Sequence, residues 1–196
     1  MVGRRVRLSA EVRRGQLIQA ASRLVLRQGY LPLPLERLAS EAGVSKALIY
    51  GFFPDQHDLF NAVLAEQFAA LRAAGLEAAS QADDLERAAL GCADIYLRHV
   101  AHVGPIAHII LRDLYMAQRL RPDLAGFRDR VARRLARLIR AELQLPPEEA
   151  VGLINLVTTI PEETGRLVWQ GDLDLDSGLA LGERLVRASL AALRPT

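Results

Sequence analysis

Apolar residues recur every three or four positions along nearly the whole chain, a spacing that predicts amphipathic helices rather than strands. Glycines, prolines and short acidic turns interrupt the pattern and divide it into nine segments. The sequence therefore predicts an all-α protein. The expected helices cover residues 9–28, 34–42, 46–53, 56–79, 84–103, 105–121, 122–143, 147–170 and 178–193.

The second and third of these segments predict a helix, a tight turn and a second short helix, in the stretch LERLASEAGVSKALIYGFF. Gly43 is expected to end the first helix, because a residue without a Cβ readily adopts the left-handed conformation of a sharp turn. Ser45 is a favourable N-cap for the helix that begins at Lys46. This order is typical of a helix-turn-helix, whose second helix enters the major groove of DNA.

The second helix of this motif is expected to have two different faces. Ile49 and Phe53 fall on the inner face, whereas the outer face is small, basic and aromatic. Such a face suits contact with DNA, and the alternative is a helical hairpin that never contacts DNA. The outward residues are Lys46, Ala47, Leu48 and Tyr50.

The run ASEAGVSKALIYGFFPD resembles the DNA-binding signature of TetR-family transcriptional regulators, and the matching residues are Ala39, Ala42, Gly43, Val44, Ser45, Tyr50 and Phe53. The resemblance covers roughly residues 11–65. It implies a helix-turn-helix DNA-binding domain of three helices over residues 1–55 and a six-helix ligand-binding and dimerisation domain over residues 56–196. The DNA contacts that it implies are Arg13, Arg14, Ser45, Lys46, Ala47, Leu48, Tyr50 and Gln56.

Three positions depart from the family pattern. Pro34 stands where Thr or Ser commonly opens the second helix, and it offers phosphate neither a hydroxyl nor an N–H. Phe52 has no polar tip, and Gln56 replaces a frequent lysine without bringing a charge. Backbone contacts are therefore expected to be weaker. The alternative function is a helical dimer that binds a ligand or a protein partner and has weakened or lost operator binding.

The charge distribution is uneven although the formal net charge is only +2. Residues 1–56 hold nine basic and four acidic residues, whereas the rest of the chain holds 16 basic and 19 acidic residues. Binding to phosphates needs a locally basic surface rather than a basic protein. A solubilising tail explains Arg4, Arg5 and Arg7 equally well, but it does not explain an excess beside the helix-turn-helix.

Other signals exclude several classes of protein. No run approaches the roughly 18 apolar residues of a transmembrane helix, and the basic N-terminal stretch lacks the apolar core of a signal peptide. We therefore expect a cytoplasmic protein with no membrane contact. Cys92 is the only cysteine, which excludes a disulfide framework. No phosphate-binding loop, serine nucleophile motif or paired carboxylates indicate an enzyme, and no cofactor is expected.

The last predicted helix is more apolar than a solvent-exposed C-terminal helix needs, and it contains small residues that allow another helix to approach closely. In TetR-like proteins the last two long helices pair with their copies in a second subunit. A homodimer would place two DNA-binding heads on a palindromic operator. The alternative is a helix that only covers the core of its own subunit. The predicted dimer contacts are Leu179, Leu185, Val186 and Leu190.

The larger domain is expected to bind a small-molecule effector. Pro161 within a helical run predicts a kink near Val157 that opens space between packed helices. The histidines at 99, 102 and 108 suggest a metal site, but no nearby cysteine or acidic pair completes the ligands, so no metal is expected. Polar residues among Ala and Leu suit an apolar pocket, and they suit an ordinary helical core equally well. The candidate ligand contacts are Phe68, Tyr96, His99, His108, Arg112, Tyr115, Met116, Thr159 and Glu162.

Taken with the resemblance, these features predict a ligand-responsive transcriptional repressor. It is expected to bind a palindromic operator in double-stranded DNA as a homodimer. A small, largely apolar effector is expected to release it.

Overall fold

The computed structural model describes residues 9–194, and all regular structure in this range is helical, as predicted. No helix of this range is long and apolar enough to cross a membrane. Ten α-helices and one short 3-10 helix (Leu114–Met116) follow one another. The α-helices are α1 (Ala10–Gln28), α2 (Leu35–Ala42), α3 (Lys46–Phe52), α4 (Gln56–Ala73), α5 (Leu76–Ala79), α6 (Leu85–Val103), α7 (Ile106–Arg112), α8 (Pro122–Leu143), α9 (Pro147–Gln170) and α10 (Leu175–Ala191).

Two predicted helices end earlier than expected. The fourth was predicted to reach residue 79, but α4 ends at Ala73, because Gly75 adopts a φ of 89° and α5 forms separately. The sixth was predicted to reach residue 121, but α7 ends at Arg112. Asp113 then has an extended ψ of 133°, and its carboxylate accepts a hydrogen bond from the Tyr115 N–H at 2.9 Å, which starts the 3-10 helix.

The chain folds as two compact units, and their boundary differs from the predicted division after residue 55. The N-terminal unit contains the described residues up to Glu66 together with Ile106–Leu120. The second unit, the body, contains Gln67–Pro105 and the described residues from Arg121 onward. Helix α4 therefore continues from one unit into the other. Helix α7 belongs to the N-terminal unit, although body helices precede and follow it in the sequence.

In the N-terminal unit, α1 packs on α2 and α7, and α2 packs on α3. Residues spaced three and four apart place one stripe of α1 in the core. Leu17 and Ile18 are almost fully buried, as are Leu38 of α2, Phe60 of α4 and Ile110 of α7. This apolar core fixes the position of the helix-turn-helix.

Helix α6 lies at the centre of the body and packs on α5, α8, α9 and α10. Helix α9 approaches it closely at Gly165, where an added Cβ would lie 2.8 Å from the carbonyl oxygen of Leu97. Any other residue there would force the two helices apart. Helix α9 runs through Pro161 without ending. The core cluster of the body contains Leu85, Ala88, Leu138, Ile139, Leu143, Ala150, Leu153, Val186 and Leu190.

This cluster corrects two of the four predicted dimer contacts. Val186 and Leu190 are 0% and 3% exposed and pack inside the body, so α10 covers the core of its own subunit with these residues. They continue the face of α10 that begins at Gly178 and Gly182, whose added Cβ atoms would meet side chains of α9 and α6. Leu185 is 44% exposed and Leu179 is half-buried.

Candidate nucleic-acid interface

The turn between α2 and α3 is built by local hydrogen bonds. Gly43 has a φ of 64°, and its N–H donates to the carbonyl oxygens of Ala39 and Ser40. The Val44 N–H donates to the Ala39 carbonyl at 2.9 Å, which ends α2 firmly. The Ser45 hydroxyl oxygen then accepts a hydrogen bond from the Leu48 N–H at 3.2 Å and caps α3. The sequence predicted the roles of Gly43 and Ser45.

Helix α3 has one buried face and one exposed face. Ile49 and Phe53, at its end, are 2% and 3% exposed and hold the helix in the N-terminal unit. The predicted outward residues Lys46, Ala47, Leu48 and Tyr50 are all exposed. Half of the Tyr50 side chain is open to solvent, so its hydroxyl can reach a partner outside the protein.

Lys46 is the only lysine in the chain, and it forms an exposed ion pair with Glu36 of α2. Lys46 Nζ donates a hydrogen bond to Glu36 Oε1. This hydrogen bond holds the pKa of Glu36 below its usual range. A hydrogen bond that the carboxylate accepts from the Glu36 backbone and the positive charge of Lys46 lower the pKa further. The outer surface beside α3 therefore presents a carboxylate as well as an ammonium group.

Glu41, the other acid of α2, is bound by two arginines of α1. Arg27 Nη2 donates to one carboxylate oxygen, and Arg23 Nε donates to the other at 2.7 Å. These hydrogen bonds hold the pKa of Glu41 below its usual range. The Glu41 side chain is only 20% exposed. This cluster joins α1 to α2, and it leaves Glu36 as the more exposed acid of α2.

Arg13 and Arg14, predicted to lie near the DNA backbone, also contact their own unit. Arg13 Nη1 donates to Gln16 Oε1 at 2.9 Å. The Arg14 guanidinium lies 5.1 Å from the centre of the Phe53 ring, a cation–π contact that orients it beside the end of α3. Three further arginines of the predicted basic stretch, Arg4, Arg5 and Arg7, lie outside the described residues.

Gln56 has a structural role in place of the predicted phosphate contact. Its Oε1 accepts a hydrogen bond from the Leu33 N–H at 2.9 Å, and its Nε2 donates to the Leu33 carbonyl at 2.8 Å. The side-chain amide thus pairs with the backbone just before Pro34, which is the N-cap of α2 and makes no side-chain capping bond. A partner 23 positions away leaves no pattern in the local sequence.

A segment that the sequence assigned to the larger domain completes the N-terminal unit. Asp113 Oδ2 accepts a hydrogen bond from the Leu31 N–H at 2.8 Å and so holds the loop between α1 and α2. The Tyr115 ring stacks on the His57 ring, with centroids 4.3 Å apart and planes within 5° of parallel. These contacts tie the start of α4, directly after α3, to a segment that lies between two body helices in the sequence.

The predicted ligand contacts are divided between the two units. His108, Arg112, Tyr115 and Met116 belong to the N-terminal unit rather than to the body, which corrects their predicted placement. Met116 is buried, and Tyr115 stacks on His57. The contacts that lie in the body are Phe68, Tyr96, His99, Thr159 and Glu162.

Two polar contacts link α6 to its neighbours inside the body. Tyr96 and His99 lie one turn apart on α6 and share a face. The Tyr96 hydroxyl lies 3.5 Å from Glu162 Oε2, and Glu162 is only 8% exposed. His99 Nε2 lies 3.0 Å from Gln67 Oε1. Burial, followed by the nearby charge of His102, lowers the pKa of His99.

Phe68 and Thr159, the other two candidate ligand contacts in the body, differ in burial. Phe68 is buried against Phe127, with ring centroids 5.5 Å apart. Thr159 is exposed, and its hydroxyl donates to the Leu156 carbonyl at 2.6 Å. Among residues 9–194, no group of three His, Cys, Asp or Glu side chains is arranged to hold a metal ion.

The N-terminal residues are similar in sequence to known regulatory proteins. Residues 17–63 match the family described as "Bacterial regulatory proteins, tetR family". The HTH-type transcriptional activator FasR of Mycolicibacterium smegmatis is 41% identical over 58 residues, which are 30% of this chain and 26% of FasR. The match thus spans about a quarter of the length of that relative.

The whole fold is similar to that of solved regulators. A TetR-like transcriptional regulator from Rhodococcus sp. RHA1 is 20% identical, and the similarity covers 94% of this chain and 99% of that one with a TM-score of 0.68. FadR from Bacillus subtilis, solved in complex with stearoyl-CoA, is 17% identical with 92% and 99% coverage and a TM-score of 0.65. The prediction of a protein that is not an enzyme agrees with this family. Residues 17–63 therefore match the DNA-binding domain of the TetR family, and the described residues have the helical fold of solved TetR-like regulators.

Proposed function

We propose that this protein is a ligand-responsive transcriptional regulator that binds palindromic double-stranded DNA as a homodimer. The observation that carries the proposal is the division of α3 into two faces. Ile49 and Phe53 anchor the helix in the core, while Lys46, Leu48 and Tyr50 project into solvent. The family match over residues 17–63 supports the proposal.

The exposed face of α3 has the chemistry that a major groove requires. Lys46 binds guanine O6 and N7, and the methyl groups of Ala47 and Leu48 contact thymine methyl groups. Tyr50 donates its hydroxyl to a phosphate, and Arg13 and Arg14 lie near the DNA backbone. These phosphate contacts position the helix without selecting a sequence.

Exposed apolar residues on the last two helices support the homodimer. Leu156 of α9 is 69% exposed and Leu185 of α10 is 44% exposed. Large apolar side chains on adjacent long helices favour burial by a second copy of the chain. A two-fold dimer presents two copies of α3 to the two halves of a palindrome.

The body binds a small, largely apolar effector that lowers DNA affinity, so the regulator acts as a repressor. The complex of FadR with stearoyl-CoA supports an effector with an apolar acyl chain, although its coenzyme A group is charged. The chain passes between the two units within α4, after Pro105 and after Leu120, and these three connections carry the coupling. An effector shifts DNA affinity only by its differential affinity for two states of the protein, typically about 1–3 kcal/mol or roughly 5–150-fold.

The experiment is fluorescence anisotropy with a labelled duplex from the DNA directly upstream of the coding sequence, at two salt concentrations. Specific binding should exceed binding to a scrambled duplex, and Lys46→Ala should weaken specific binding by about 1–3 kcal/mol. Stearoyl-CoA, used as the first test effector, should then release the duplex. Equal binding of both duplexes would favour the alternative, a helical dimer that binds a ligand or a protein partner and has weakened or lost operator binding. An effector that tightens DNA binding would reverse the sign of the proposed coupling.

A further inference from the structure

We infer that Glu36, which lies on α2 and not on the helix that enters the groove, reads a base together with Lys46. In this arrangement Lys46 binds a guanine, and Glu36 accepts a hydrogen bond from the amino group of a cytosine within one base-pair step of it. The inference rests on the proposed function, because it requires α3 in the major groove. It adds a specificity-determining residue outside the outward face of α3.

The position of Glu36 makes this contact possible. Lys46 is the first residue of α3, and Glu36 is the second residue of α2. Their side chains are 50% and 71% exposed, and they are joined by a hydrogen bond between Nζ and Oε1. If the ammonium group of Lys46 reaches the edge of a base, the carboxylate bonded to it therefore reaches the same or the neighbouring base pair.

The hydrogen-bonding capacity of the pair matches a C·G base pair. An ammonium group has three donors, so the bond to Glu36 leaves two for guanine O6 and N7. A carboxylate has two acceptor oxygens, so Glu36 Oε2 can accept a bond while Oε1 binds Lys46. Cytosine presents its N4 amino group as a donor in the major groove, and Glu and Asp are the side chains that accept from it.

The charge balance also favours a role in sequence selection. A lone carboxylate would be repelled by the phosphates, but Lys46 neutralises this one. The hydrogen bond from Lys46 keeps the pKa of Glu36 low, so the group remains an acceptor at neutral pH.

Glu41 provides a matched comparison on the same helix. It is also an acid of α2, but its two oxygens bind Arg23 and Arg27 of α1, and its side chain is only 20% exposed. Glu41 therefore joins helices, whereas Glu36 is open to a partner. Substitution of each acid by glutamine separates base reading from a general effect of removing a negative charge.

The test is selection of duplexes from a randomised DNA library by the full-length protein, followed by anisotropy on the selected sequences. Wild type should require cytosine at one position of each half-site, and Glu36→Ala should lose that preference by about 5- to 150-fold while other positions stay selected. Glu36→Gln should change the preferred base from cytosine to adenine, because a glutamine amide pairs with adenine N6 and N7. Glu41→Gln should select the wild-type sequence.

Two results would overturn the inference while the proposed function stands. One is a Glu36→Ala variant that binds all sequences more tightly by the same factor, since Glu36 would then only offset the charge of Lys46. The other is an unchanged base preference in both Glu36 variants. A wild-type protein that selects no sequence at all would overturn the proposed function and this inference together.

The unique lysine allows the ion pair to be tested without DNA. Protein labelled with ¹⁵N-lysine should give a single side-chain ammonium signal in NMR spectra, because Lys46 is the only lysine. Glu36→Ala should shift this signal, and Glu41→Gln should leave it in place. If the chemical shift of the Lys46 ammonium signal is the same in Glu36→Ala and in wild type, the contact on which the inference depends is absent.

Discussion

Gln56 binds the backbone of Leu33 through both atoms of its side-chain amide, so one residue of α4 fixes the loop that leads into α2. Gln56→Ala removes two hydrogen bonds from a partly buried site and should lower the free energy of unfolding by about 1–3 kcal/mol. Urea denaturation of the free protein measures this loss. A variant with unchanged stability and weaker DNA binding would restore the interpretation of Gln56 as a phosphate contact.

Leu185 and Leu190, five residues apart on α10, should respond to substitution in opposite ways. Leu185→Asp places a charge on an exposed position, so the protein should stay folded while the proposed dimer dissociates. Leu190→Ala opens a cavity in the body core and should cost about 2–5 kcal/mol, with the dimer retained. Light scattering gives the oligomeric state, and thermal unfolding gives the stability. A stable monomeric wild type would refute the dimer.

Tyr50→Phe tests the proposed contact with phosphate. Loss of the hydroxyl should weaken specific and non-specific duplexes alike, by about 0.5–1.5 kcal/mol, because phosphate contacts do not depend on sequence. Tyr30→Phe is the matched control, since Tyr30 is 57% exposed against 51% for Tyr50 but lies in the loop before α2. Equal affinities for wild type and Tyr50→Phe would show that the Tyr50 hydroxyl does not contact the DNA.

His99 should make the body less stable in mild acid. Its pKa in the folded protein lies below the reference value of 6.5, so the unfolded chain binds more protons between these two values. The free energy of unfolding should therefore decrease as the pH falls below about 6.5. In His99→Gln, melting temperatures at pH 7.5 and 5.5 should differ less than in wild type.

The exposed His102 offers a comparison for this titration. His102→Gln removes only the second cause of the lowered pKa of His99, the nearby charge, and leaves the burial that is the first cause. Its effect on the pH dependence should be smaller than that of His99→Gln. An equal effect of both variants would mean that burial of His99 is not the main source of the acid sensitivity.

The sequence predicted the helix-turn-helix well because its determinants are local. The Gly43 turn and the Ser45 cap each depend on residues within four positions of one another, and the helical spacing of apolar residues places Ile49 on the inner face. Helical periodicity and capping are rules on that scale. The same rules place Lys46 and Tyr50 outward, so the sequence alone predicts their exposure.

Residues that act over long separations were not predicted. Asp113 binds the Leu31 N–H from 82 positions away, and no local pattern marks that pairing. Periodicity identified the apolar residues of α10 but did not distinguish Val186, which is buried, from the neighbouring Leu185, which is exposed. That distinction depends on where Gly178 and Gly182 allow the other body helices to approach.

The return of Ile106–Leu120 to the N-terminal unit sets an order for folding during synthesis. The ribosome releases α1 to α4 first, but Asp113, Tyr115 and the buried face of α7 emerge only after α6 has been made. The nascent N-terminal unit therefore lacks part of its core while nearly forty residues of the body are being added. A fragment that ends at residue 66 should resemble this unfinished state and expose the apolar surface that α7 covers.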